Sequence, residues 1–258
     1  MTLIETLRAF GEQKATKEQV IRAALEHDGW QVPAEVFARG KAQPIAKRIV
    51  MYGEQTKMPE GQVWAFTDDA HARKAAESGR LGAFAAEVTG PEMFTHLEGF
   101  TRLEVNPGSA KEETFFLELD DGFRGLLGLW SRAVLLEKKL AQGSDDPELY
   151  RTLRAFDGYL VFGNPNNSIV TVPGQQGIAN GAAVFTAPDC AEALTKQLSP
   201  ETAGKLRRVG LPGSKLFETI LHAGVDGVIF NPFGPGPTRA LPLEVCRKIA
   251  AAAPAADD

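Results

Sequence analysis

Few residues of this chain are of types that do covalent chemistry, and their spacing keeps them apart. The histidines are His27, His71, His96 and His222, each in a stretch that reads as helix and none near another. Lone imidazoles so placed are surface or helix-end groups. No G-x-S-x-G elbow is present to expose a nucleophilic serine. Cys190 and Cys246 form no C-x-x-C pair, so neither a disulfide framework nor a structural zinc site is expected. Both read as inert, buried thiols, because cysteine packs as a small hydrophobe. Acid pairs stand at 68–69, 120–121 and 145–146. Adjacent carboxylates can bind a metal or split their pKa values for acid–base work. These three pairs sit at expected helix starts or turns, where aspartate is favoured by capping and by the helix dipole. Residues 210–215, Gly-Leu-Pro-Gly-Ser-Lys, enter a helix but lack the G-x-x-x-x-G-K-[ST] order of a phosphate loop. Ser214 reads instead as an N-cap. The expectation is no catalytic, cofactor-binding or metal-binding residue, and no cofactor.

The elements that would position any site are better marked. Thr16 followed by Gln19 is a capping-box pattern, and Val20, Ile21, Ala24 and Leu25 share one helical face. Two β-type runs, 48–52 and 62–67, flank a Gly- and Pro-containing loop and predict a hairpin or neighbouring strands. A helix over 70–79, capped by Thr67 or Asp68, should follow. Pro91 opens another, with Met93, Phe94 and Leu97 inward, and a strand over 101–105 ends at Asn106-Pro107-Gly108. The second half repeats this order. Strands at 157–163 and 181–186 precede a helix starting at Thr186 and Asp189. Ser214 then opens a helix carrying Leu216, Phe217, Ile220 and Leu221, and a last strand ends at Asn231-Pro232. Phe66-Thr67 matches Phe185-Thr186, and the spacing to the Asn-Pro turns is kept with small insertions. TLRAF occurs at 6–10 and 152–156, and an Asp-Gly-aromatic triplet at 28–30 and 157–159. Between the copies lie a strand at 113–119 and an amphipathic helix at 126–142, with Leu129, Ala133, Leu136 and Leu140 on one stripe. Asp145 or Asp146 before Pro147 starts one more helix. The expected fold is α+β: two tandem, pseudo-symmetric α+β units joined by a helical bridge. The expected domains are 1–120, the first unit with its N-terminal helices, and 121–258, the bridging helices and second unit.

The Asn-Pro turns are the most distinctive elements. At the second, residues 231–237 hold three prolines and two glycines, a partly stiff loop that would present Phe233 outward with Arg239 behind it. Exposed aromatic and arginine side chains are typical binding anchors. The expected partner-binding residues are therefore Asn106, Asn231, Phe233 and Arg239.

The segments QVWAFTDDAHARKA and GAAVFTAPDCAEAL, each leading to a strand that ends in Asn-Pro, resemble the SseB-like family, named for enhanced serine sensitivity. The resemblance covers about 48–108 and 157–245. It implies a small cytoplasmic α+β domain without established catalytic residues, often found near secretion systems. It points to regulatory or partner-binding work.

Composition fits that reading. The net charge of −5 leaves no surplus of cations for a nucleic-acid partner. No apolar run approaches the roughly 20 residues of a spanning helix, and the charged start lacks a signal-peptide core. The expectation is a cytoplasmic, non-enzymatic protein-binding module without membrane insertion. Its partner is a protein not identifiable from sequence, or a second copy in a homodimer. The alternative is a small-molecule enzyme or ligand-binding protein with its site in the cleft between the two units.

Overall fold

The computed structural model of the chain describes residues 2–33, 48–51, 61–77, 84–95, 97, 100–111, 113–143, 145–164, 168–175 and 177–252. The fold is α+β, and the chain divides into two compact units, Met1–Val134 and Leu135–Asp258.

The first unit opens with helices α1 (Leu3–Gly11) and α2 (Lys17–Glu26). Each starts with a reciprocal capping box, Thr2 with Glu5 and Thr16 with Gln19, so two otherwise orphaned amides are satisfied at each end. Strands β1 (Trp30–Pro33), β2 (Arg48–Met51) and β4 (Phe84–Val88) make an antiparallel sheet in the order β1-β4-β2. Strands β3 (Gln62–Ala65), β5 (Arg102–Val105) and β6 (Phe115–Glu118) make a second, with β3 and β5 parallel and β6 antiparallel to β5. The paired backbone hydrogen bonds of Gln31 and Phe66, both 2.8 Å, join the two sheets. Among the described residues the expected pairing of 48–52 with 62–67, as a hairpin or as neighbouring strands, is not found: β2 pairs with β4, and β3 with β5, while residue 52 lies outside the described residues. A parallel partner 40 residues away replaces the local one, because a helix crosses between β3 and β5. That helix, α3 (Asp69–Glu77), is capped by Asp68, whose Oδ1 accepts from the His71 amide at 2.9 Å. Helix α4 (Gly90–Thr95) follows β4. The Trp30 indole donates to the Ala24 carbonyl and packs edge-on to Phe94.

The boundary between units falls within helix α5 (Asp121–Gln142). Asp120 caps it, accepting from Phe123 N at 2.6 Å, so it begins five residues before the expected start. Trp130, not the half-buried Leu129, is its buried residue there, alongside Ala133, Leu136 and Leu140.

The second unit continues with α6 (Pro147–Ala155), whose cap Asp146 accepts from Leu149 N at 2.8 Å. Its strands are β7 (Tyr159–Gly163), β8 (Thr171–Gln175), β9 (Ile178–Phe185), β10 (Arg207–Leu211), β11 (Gly227–Phe230) and β12 (Arg239–Pro242). They form one sheet in the order β10-β7-β9-β11-β12, with β8 paired to β9. Only β9 and β11 run parallel; the other pairs are antiparallel. The helices are α7 (Pro188–Gln197), α8 (Pro200–Gly204), α9 (Gly213–His222) and α10 (Leu243–Ala251). Two expected caps are absent. Helix α7 starts at Pro188 without a side-chain cap, and α9 starts at Gly213 without help from Ser214. Gly213 must open α9 because a Cβ there would strike the Leu153 carbonyl; its amide donates to Phe156 O at 2.7 Å. Gly90 opens α4 in the same way, against the Ala24 carbonyl, with its amide on His27 O at 2.9 Å. The Tyr159 hydroxyl donates to Leu153 O, as the Trp30 indole does to Ala24 O.

Candidate functional site

The two Asn-Pro turns are built alike. In the first unit, Asn106 closes β5 with a positive φ of 53°. Its amide donates to Ala65 O, and its Oδ1 accepts from Thr67 N at 2.9 Å. Its Nδ2 donates to Thr67 Oγ1 at 3.1 Å and to Glu113 O at 3.3 Å. The Thr114 hydroxyl donates to Asn106 O at 3.1 Å. In the second unit, Asn231 closes β11 with φ 46°. Its amide donates to Val184 O, its Oδ1 accepts from Thr186 N at 3.0 Å, and its Nδ2 donates to Thr186 Oγ1 at 2.9 Å. The Thr238 hydroxyl donates to Asn231 O at 3.2 Å. In each unit the side chain of the turn asparagine ties the ends of two parallel strands together. Asparagine suits the place because it tolerates the left-handed conformation and carries donor and acceptor on one short side chain.

What surrounds the latch differs. Beside Thr67, His71 Nδ1 meets Asp68 Oδ2 at 2.7 Å and Thr67 Oγ1 at 3.4 Å, while Nε2 lies 3.7 Å from Glu113 Oε2. Burial pushes the Asp68 carboxyl up, but the His71 amide, imidazole and charge together hold it below its usual value. The residue types are those of a Thr-His-Asp relay, yet the geometry is not. A relay needs the hydroxyl and the carboxylate hydrogen-bonded to opposite ring nitrogens; here Thr67 and Asp68 both meet Nδ1, and the Glu113 carboxylate on the Nε2 side, at 3.7 Å, is beyond hydrogen-bond distance. Beside Thr186 the position of His71 is taken by Cys190, and Glu137 of α5 is buried against the latch. The Thr186 hydroxyl and Cys190 Sγ both donate to Glu137 Oε1, the thiol at 3.7 Å. Among the described residues no group of three His, Cys, Asp or Glu could hold a metal ion.

The residues expected to meet a partner are thus distributed unequally. Asn106 and Asn231 are fully buried, their side chains committed to the latches, so they shape the loops and offer no contact atoms of their own. Phe233 is 51 % exposed, with its backbone held at φ 66°. Arg239 is turned inward, its side chain 12 % exposed. It donates to Leu140 O and Gly143 O at the C-terminal end of α5 and pairs with Asp145 at 3.2 Å. Cations are favoured at that end of a helix, so Arg239 anchors the base of the loop. His96 lies outside the described residues. The sequence marked Asn-Pro and Phe-Thr as separate repeats, but not that they bind each other, nor that Glu137 joins them. The signal was that both repeats recur together, with the threonine of Phe-Thr four residues before His71 in one case and Cys190 in the other.

No family model matches the chain, and no curated protein does. Among solved structures, Anabaena Tic22 (protein transport) is similar over 79 % of this chain and 86 % of its own, at 12 % identity and a TM-score of 0.22.

Proposed function

We propose that this chain is a cytoplasmic, non-enzymatic protein-binding or regulatory module of the SseB-like kind, associated with a secretion system, and that the loop after Asn231 is its working surface. The observation that carries the proposal is Phe233. A bulky residue in the left-handed region costs about 1 kcal/mol or more, and leaving an aromatic ring half in water forfeits its burial. Stability alone would place glycine there. Strain of this kind concentrates at functional positions. The ring stands on a rigid base: the Asn231 latch on one side, the Arg239 clamp on the other. A preformed loop loses little entropy on binding. The tandem reading of the chain is supported by the paired features of the two units: the Asn–Thr latches, the glycines that open α4 and α9, and the aromatic donors Trp30 and Tyr159.

The test is Phe233→Gly. Glycine accepts φ 66° without strain, so the variant should be as stable as the parent or more stable, by up to about 1 kcal/mol in urea unfolding. In a pulldown from cell lysate read by mass spectrometry, it should lose the partner that the parent retains. Undiminished capture by the glycine variant would refute the assignment.

A further inference from the structure

We propose that the free edge of β10 is a second interaction surface, which takes an extended acidic peptide of a partner protein as an added strand. Strand β10 pairs with β7 over its whole length, from Arg207 with Gly163 to Leu211 with Tyr159. Among the described residues no strand pairs with its other side. An unpaired edge presents a row of amide and carbonyl groups that a further strand can complete. Native edges are commonly blunted by charged side chains, by proline, by bulges or by shortness; on β10 the device is charge, since Arg207 and Arg208 repel another cationic edge and leave an acidic strand as the one that fits. The opposite edge, β12, ends in Pro242. Strand β10 has five residues in unbroken register and no proline.

The face of this edge is also shaped. A trough of about 350 Å³ runs beside it, floored by Val161, Ile169, Val209 and Leu211. Residues two apart on a strand share a face, so Arg207, Val209 and Leu211 line the trough together. Phe217 of α9 packs on Tyr159 at 6.2 Å, and Thr219 of the same helix bounds the trough. The apolar floor accepts the side chains that an added strand turns to this face.

Charge selects the occupant. Lys205 and Arg207 border the trough, and Arg208 alternates to the other face of the sheet. Lys205 pairs with Glu201 at 2.6 Å. Neither Arg207 nor Arg208 makes an ion pair among the described residues, and both are exposed. On a chain of net charge −5, this edge is a local cationic strip. A peptide that alternates apolar residues, turned to the trough, with acids beside the arginines satisfies the ladder, the floor and the charges at once.

The probe is the labelled peptide acetyl-Glu-Asp-Val-Asp-Val-Asp-amide, titrated into the full chain by fluorescence anisotropy. Saturable binding is expected, with slowed hydrogen exchange at β10 amides. Lysine in place of the acids, or N-methylation of alternate peptide amides, should each weaken binding by about tenfold or more. Arg207→Glu with Arg208→Glu should do the same while leaving the circular dichroism spectrum unchanged. Phe233→Gly should bind the peptide like the parent, which separates this surface from the loop above. No saturable binding up to about 1 mM, equal binding of the N-methylated peptide, or exchange protection elsewhere than β10 would overturn the proposal. So would a concentration-dependent dimer abolished by the double charge reversal, since it would make a second copy the occupant.

Discussion

Replacing Asn231 by alanine removes the acceptor of the buried Thr186 amide and places a residue of poor left-handed propensity at φ 46°. An orphaned buried donor costs about 1–3 kcal/mol, and the backbone strain adds about 1 more. A loss of about 3 kcal/mol in urea unfolding is expected. Asn231→Gly relieves the strain while still lacking the hydrogen bonds, and should lose about a third less. Equal losses would mean that the conformation contributes nothing. The latch escaped the sequence reading for a physical reason. Asn-Pro reads locally as a strand end, whereas its partners lie 39 residues away in one unit and 45 in the other. Parallel strands bring such distant residues together, and spacing along the chain does not encode that. Asp68 allows a pH test on the first unit. Its folded pKa is depressed, so its contribution is complete above the ordinary aspartate value near 3.8 and is lost as pH falls through the folded value. The carboxyl is half exposed, so screening keeps this contribution below about 1 kcal/mol. Asp68→Asn keeps a cap acceptor without the charge. The stability gap between parent and variant should be present at pH 7 and shrink below about pH 4; a gap that widens on acidification would contradict the assignment.

Helix starts were legible where the signal is local. Asp68, Asp120 and Asp146 each accept an amide three residues on, as the acid pairs suggested. Two starts were misread because tertiary demands override local chemistry. The Thr186 hydroxyl is taken by Glu137 and Asn231 and cannot cap α7. Helix α9 must begin at Gly213, where backbone meets backbone, so Ser214 falls inside it. Strand pairing was the least legible level: β2 and β3 are neighbours in sequence but belong to different sheets, because each apolar run is equally satisfied by any partner. Helix α9 itself was readable from its stripe. Phe217 is fully buried against Tyr159, and Phe217→Ala should cost about 3–5 kcal/mol in chemical unfolding. A loss well under 1 kcal/mol would mean that the stripe does not carry the helix.

The whole molecule offers its own reporters. Trp30, Trp64 and Trp130 are the chain's three tryptophans, and all lie in the first unit. Cys190 and Cys246 are its two cysteines, and both are buried in the second. Burial pushes the Cys246 thiol up to about 12, with backbone hydrogen bonds to Val228 and Cys246 opposing it. A thiol in that state carries almost no thiolate at pH 8, and the thiolate is the reactive form. With Cys246 protonated and Cys190 fully buried, native protein should be inert to a thiol-specific reagent at pH 8, and reaction should follow unfolding of the second unit. Tryptophan fluorescence follows the first. Each unit has its own core and its own latch, so Asn231→Ala should lower the denaturant midpoint of thiol exposure more than that of fluorescence. Asn106→Ala should do the reverse. If both variants move both midpoints equally, the units unfold as one cooperative body, and the latches stabilise the chain as a whole and not the unit that contains them.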